Sequence, residues 1–140
     1  MRSKARAYVM SLRLRTLPLS LGGVLLGSLL SASDGRFEWV VFALVMVTAA
    51  ALQILSNMAN EIGDLDKGTD NERRLGPIRG TQSGVLSRRE MARAMVATGG
   101  VALVSGVALV AVAFGDLLEG RSVALLVAGG FSMAAAVKYT

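Results

Sequence analysis

Half of the acidic side chains in this sequence crowd into one short window. Of the ten Asp and Glu residues, five lie close together: Glu61, Asp64, Asp66, Asp70 and Glu72. With the amide oxygens of Asn57 and Asn60 they form an all-oxygen donor set, which suits a hard cation. Magnesium typically takes one or two carboxylates and leaves positions for substrate phosphates. Groups that seek phosphate follow at once: Arg73, Arg74 and Arg79, with Gln82 and Ser83, around Gly76, Gly80 and Gly84. Guanidinium forks match the oxygens of an anion, and glycines let the backbone approach it. An acidic segment followed by a basic, glycine-rich one is a sensible build for a diphosphate held through magnesium. Calcium is the rival reading, because Asp64, Asp66, Gly68 and Asp70 approach the opening of an EF-hand loop. That loop needs glycine at its sixth place and glutamate at its twelfth, which here are Thr69 and Leu75. A plain solvated charge run is the remaining alternative.

These residues hang from elements that the hydropathy pattern makes plain. The chain has 140 residues, 53% of them hydrophobic, and a mean hydropathy of +0.54. The apolar residues form four blocks almost free of charge, about 16–33, 37–59, 94–114 and 122–137. Crossing the hydrocarbon layer takes roughly 17–25 mainly apolar residues, so the expected fold is an all-α, polytopic transmembrane helical bundle. Pro18 sits where a first helical turn tolerates it. Glu38 is expected in the first turn of the second span, and Trp39 at the membrane boundary. Ser87-Arg88-Arg89-Glu90 has the form of a capping box, so the third helix is expected to start near Ser87, ahead of its apolar block. The glycines inside the blocks, among them Gly22, Gly23, Gly27, Gly99, Gly100, Gly106, Gly129 and Gly130, are expected to serve helix packing.

Charge placement gives a topology. Arg2, Lys4, Arg6, Arg13 and Arg15 precede the first block, and Lys67, Arg73, Arg74, Arg79, Arg88, Arg89 and Arg93 fill the long connection. The other two connections carry only Arg36 and Arg121. The positive-inside rule then places the N-terminus and the 60–93 segment in the cytoplasm, in a cell inner (plasma) membrane. The basic residues flank spans, so a nucleic-acid partner is not expected. A secretory signal over residues 1–33 is a competing reading, but the apolar stretch is long for one and more spans follow. The sequence has no Cys and no His, which excludes disulfides, thiolate metal sites and imidazole chemistry.

Helical placement sharpens the site. At about 100° per residue, Gln53, Asn57, Asn60 and Asp64 fall within roughly 60° of one another, flanked by Ser56 and Glu61. One polar stripe thus descends from mid-span into the acidic window. Gln53 and Asn57 are expected to line a cavity, with interhelical hydrogen bonding as the alternative for Gln53, Ser56 and Asn57. Asn60 and Asp64 continue into the carboxylates, which favours a functional role for them.

The window resembles the first aspartate-rich motif of the UbiA superfamily of membrane prenyltransferases, N-D-x-x-D-x-x-x-D with variants. Here it reads Asn60-Glu61-x-x-Asp64 and then Lys67-Gly68-Thr69-Asp70, with Glu61 where the family usually has aspartate. The spacing is most similar to the 1,4-dihydroxy-2-naphthoate prenyltransferase branch of menaquinone synthesis. Arg13-Leu14-Arg15-Thr16-Leu17-Pro18, Leu75-Gly76-Pro77-Ile78-Arg79-Gly80-Thr81-Gln82-Ser83-Gly84 and Ala136-Val137-Lys138-Tyr139-Thr140 resemble further segments of that branch.

The resemblance implies about nine spans, of which about four are here, and a second aspartate motif further on. It implies Mg²⁺ held by Asn60, Glu61, Asp64 and Asp70, with Asn60, Asp64 and Asp70 catalytic. It implies diphosphate binding by Lys67, Arg74, Arg79, Gln82 and Ser83. The implied partners are a polyprenyl diphosphate, 1,4-dihydroxy-2-naphthoate and the lipid bilayer. The implied reaction transfers the prenyl group to an aromatic ring carbon with decarboxylation. Residues 1–140 alone are then expected to be inactive. The alternatives are another aromatic or quinone-precursor prenyltransferase of the superfamily, or a membrane transporter segment. The D-G-x-x-A-R element of the CDP-alcohol phosphotransferases, another aspartate-rich membrane class, is not found.

Overall fold

The computed structural model describes residues 3–67, 81 and 84–138. Those residues build an all-helical bundle with no strand among them. A short helix α1, Lys4–Leu12, leads through a 3-10 turn, Leu14–Thr16, into α2, Leu17–Ser33. Then come α3, Trp39–Asp66, α4, Arg88–Phe114, and α5, Gly120–Lys138. Four segments are long and apolar enough to cross a membrane: Lys4–Ser33, Trp39–Asp66, Arg88–Phe114 and Gly120–Lys138. Their outward faces carry bare large apolar side chains such as Leu19, Trp39, Val96 and Phe131. In water that exposure would oppose folding, and in lipid it is the solvated state.

The helices start and stop for local reasons. Pro18 falls in the first turn of α2. Ser87 caps α4, accepting from the Glu90 N–H, while the Glu90 carboxylate accepts from the Ser87 N–H at 2.9 Å. The expected capping box is therefore formed, and α4 starts well before its apolar block. At the other boundary the structure departs from expectation. Glu38 is extended, at φ −120° and ψ 115°, and stands as the N-cap of α3 rather than inside its first turn. Gly35 and Gly115 take the left-handed φ values of +70° and +76° that the tight α2–α3 and α4–α5 turns require.

α3 is the hub, since α1, α2, α4 and α5 all pack on it. Its widest interface is with α4. Asp66 meets Arg88, Leu55 meets Gly99, and Thr48 meets Gly106 and Ser105, so the pair runs antiparallel in register along its length. The Thr48 and Ser105 hydroxyls lie 2.9 Å apart inside this seam, and Ser105 also donates to the Val101 carbonyl at 2.7 Å. Packing explains only some of the glycines. A side chain at Gly99 or Gly106 would touch a neighbour, whereas Gly22, Gly23, Gly27, Gly100, Gly129 and Gly130 face open space within 4 Å.

The helix α1 has no counterpart in the hydropathy blocks. It docks Ala7 into a cluster with Met58, Leu86 and Met91, bordered by Tyr8, Leu12 and Ile62. This plug closes the end of the bundle where α3 stops and α4 starts. Lys4 pairs with Glu90 and Arg88 with Asp66 on the rim around it.

Candidate functional site

The hydrophobic block ends near residue 59, but the helix does not. α3 continues to Asp66 without a break. The polar stripe is therefore borne by one rigid element, and Asn60 and Asp64 emerge one turn apart on the same face. Both are half-buried at the end of the bundle.

Above them the stripe is spent on structure. Asn57 is 3% exposed. Its amide donates to the Leu12 carbonyl at 3.0 Å and to Thr16 Oγ1 at 2.9 Å, and its oxygen accepts from Gln53 Nε2 at 3.3 Å. Both amide hydrogens of Asn57 are thus committed to the junction between α1 and α2. Interhelical hydrogen bonding, the alternative to a cavity wall, is what the geometry shows at Asn57, with Gln53 as its partner. Thr16 passes the bond on by donating to the Arg13 carbonyl at 2.9 Å.

Beside the stripe, Glu61 is fully buried, the only charged residue so placed among the described residues. Its Oε1 accepts two bonds from Thr81, from the backbone N–H and from the hydroxyl, each 2.8 Å. Its Oε2 is buried with no hydrogen-bond partner. A buried carboxylate oxygen left open is costly and marks a place where a further donor or a cation fits.

Asp66 belongs to another surface. Asp66 is bound at both oxygens by Arg88, at 3.0 Å from Nε and 2.8 Å from Nη2. With Lys67 this pair forms the mouth of a cavity of about 680 Å³, walled by apolar residues of α3, α4 and α5 such as Leu55, Met95 and Met133. Leu55, Ala59, Ile62 and Asp66 lie on the side of α3 opposite the stripe. Lys67 also borders this cavity, but three residues after Asp64 and seven after Asn60 it leaves α3 at the angle of the stripe. Asp70, Arg74, Arg79, Gln82 and Ser83 lie outside the described residues.

Among the described residues no group of three acidic side chains stands ready to hold a metal. The donor chemistry still fits magnesium: an amide oxygen from Asn60, a carboxylate from Asp64, and the open Oε2 of Glu61 are all hard oxygen donors.

Two residues escaped the sequence reading, Thr81 and Thr16. Each acts through a partner distant in the chain, Glu61 in one case and Asn57 in the other, and no periodicity signals such a pairing.

Four helices of membrane-spanning length, packed on a central helix whose end carries oxygen donors, define a polytopic helical membrane protein. The chain belongs to the UbiA prenyltransferase family, whose model matches residues 20–136. It is similar to the 1,4-dihydroxy-2-naphthoate octaprenyltransferase of Escherichia coli K12, 44% identical over 138 residues, covering 99% of this chain and 44% of the relative. It is also similar to the enzyme of the same name from Haemophilus influenzae, 35% identical over 139 residues, covering 98% of this chain and 44% of the relative. The chain thus spans less than half the length of the curated relatives it matches. No solved structure matches it.

Proposed function

We propose that this chain supplies one half of the diphosphate site of a magnesium-dependent polyprenyltransferase that acts on 1,4-dihydroxy-2-naphthoate in menaquinone synthesis. The observation that carries the reading is the unbroken run of α3 to Asp66, which sets Asn60 and Asp64 on one face of a rigid helix end. The family match and the names of the relatives support the chemistry.

Asn60 and Asp64, with Asp70 and the open oxygen of Glu61, would hold magnesium, which when bound neutralises diphosphate oxygens. Arg74, Arg79, Gln82 and Ser83 would bind the remaining diphosphate oxygens, with Lys67 reaching in from the rim. Breaking the allylic C–O bond leaves both bonding electrons on the diphosphate, and these side chains stabilise that charge where it develops. The electron-rich naphthoate ring then forms the new C–C bond, and the ring carboxylate leaves as carbon dioxide. Apolar walls exclude water, which would otherwise capture the cation. By the positive-inside rule, the basic N-terminal and 60–93 segments favour a site on the cytoplasmic side of the inner membrane.

Asp64→Asn in a full-length enzyme carrying this segment tests the reading. It should abolish prenyl transfer with membrane insertion unchanged. Turnover close to that of the parent at ordinary magnesium would reject the assignment.

A further inference from the structure

Thr81 is bonded to Glu61 across a separation of 20 residues, and both members of the pair are buried. Two donors from one residue converge on a single carboxylate oxygen, each at 2.8 Å. Bonds to a charged acceptor are the strong kind, and a buried carboxylate that lost them would stand uncompensated. The contact therefore matters to both partners. It secures Glu61 at this depth, and it fastens one point of the α3–α4 connection to the acidic end of α3.

We propose that Thr81 is a positioning residue of the site, a latch that holds the Glu61 carboxylate through Oε1. The proposal rests on the reading that Glu61 and the acidic end of α3 hold magnesium and a diphosphate. A free carboxylate side chain would spend rotamer entropy at every binding event. A Glu61 already pinned by Thr81 has met part of that cost before substrate arrives, which is preorganisation. Thr81 touches neither metal nor substrate in this account and acts through Glu61. Because Thr81 holds Oε1 alone, Oε2 stays open for a further partner.

The latch and the enzymatic reading can be tested apart. In the chain reconstituted in lipid nanodiscs, amide exchange at Thr81 reads the latch with no chemistry involved. Glu61→Ala should speed exchange there by roughly 10- to 100-fold, the loss of a bond to a charged acceptor. Thr81→Ser keeps both donors and should leave exchange at that position near that of the parent. Equal exchange in parent and Glu61→Ala would overturn the latch. In the full-length enzyme, Thr81→Val removes the hydroxyl donor and should raise KM for polyprenyl diphosphate about tenfold with kcat little changed, because uniform binding is what is lost. Thr81→Ser should restore KM. A fall in kcat at unchanged KM, or no rescue by serine, would overturn the positioning role. Exchange behaving as expected in a protein that transfers no prenyl group would leave the latch standing and remove the enzymatic reading.

Discussion

Asn57 donates a hydrogen bond to Thr16 Oγ1 at 2.9 Å, joining the middle of the hub helix to the turn that separates α1 from α2. Thr16 in turn donates to the carbonyl of Arg13 at 2.9 Å, a residue in the left-handed region at φ 49°. A relay of this kind strengthens its members and fixes a strained turn from outside. The Arg13 to Pro18 segment is therefore held by Asn57, and the placement of α1 over the site end of α3 depends on it.

Replacing Asn57 should loosen this junction. Asn57→Leu keeps the bulk but leaves the Leu12 carbonyl and the Thr16 hydroxyl without their donor. The expected loss of stability is about 1–3 kcal/mol, the usual cost of orphaning buried partners. Unfolding in mild detergent, followed through the single Trp39, gives the magnitude. Cleavage by added protease near α1 should rise in the variant, and unchanged cleavage together with unchanged unfolding would remove the strut from the account.

The α3–α4 seam makes a sharper prediction about size. A Cβ at Gly106 would stand 3.6 Å from Thr48 Cγ2, an ordinary contact. Gly106→Ala should therefore be tolerated, whereas Gly106→Leu would drive a branched side chain into the Thr48–Ser105 contact. Overpacking of that kind costs about 1–3 kcal/mol. Gly100 faces open space, so Gly100→Leu should leave the stability of this chain close to the parent. Similar effects from leucine at both glycines would show that the seam does not run where the structure puts it.

The four spans were legible because lipid demands long apolar runs, and a run shows in any sequence. Their ends were less so, and for a physical reason. Hydropathy reports where the apolar environment stops, while hydrogen bonding decides where a helix stops. α3 outruns its block to Asp66 because nothing in Asn60 to Asp66 breaks a helix. α4 outruns its own because Ser87 and Glu90 cap it, and that box could be read in advance. α1 stayed hidden because its basic residues mask a narrow stripe of Ala7, Tyr8, Ser11 and Leu12. The angular stripe placed Asn60 and Asp64 correctly on one face. It could not show that Asn57 is committed to Leu12 and Thr16, partners more than forty residues away.

Topology can be checked with single cysteines, since the chain has none of its own. Ser3→Cys, Asp34→Cys and Arg89→Cys all lie at exposed positions. With the N-terminus and the α3–α4 connection in the cytoplasm, an impermeant thiol reagent applied to intact spheroplasts should label only position 34. Positions 3 and 89 should react once the membrane is opened. Labelling of 3 or 89 but not 34 in intact cells would invert the orientation and put the acidic end of α3 outside.

The activity of residues 1–140 on their own is the strictest check on the proposed site. Among the described residues no three acidic side chains gather into a metal site, and the family resemblance implies a second aspartate motif facing the first. A diphosphate held from one side only would lack part of the electrostatic stabilisation of its departing charge. Removing a single stabilising group of this kind costs roughly 10²–10³ in rate. Asn60 and Asp64 are only half-buried, so any allylic cation formed beside them would meet water before it met the naphthoate ring. Residues 1–140 reconstituted with magnesium, a polyprenyl diphosphate and 1,4-dihydroxy-2-naphthoate should therefore give no prenylated product. Adding the later spans of a related enzyme as a separate polypeptide should restore some. Product from residues 1–140 alone would mean that Asn60, Glu61, Asp64 and Asp70 suffice, and the two-sided grip on the diphosphate would have to be abandoned.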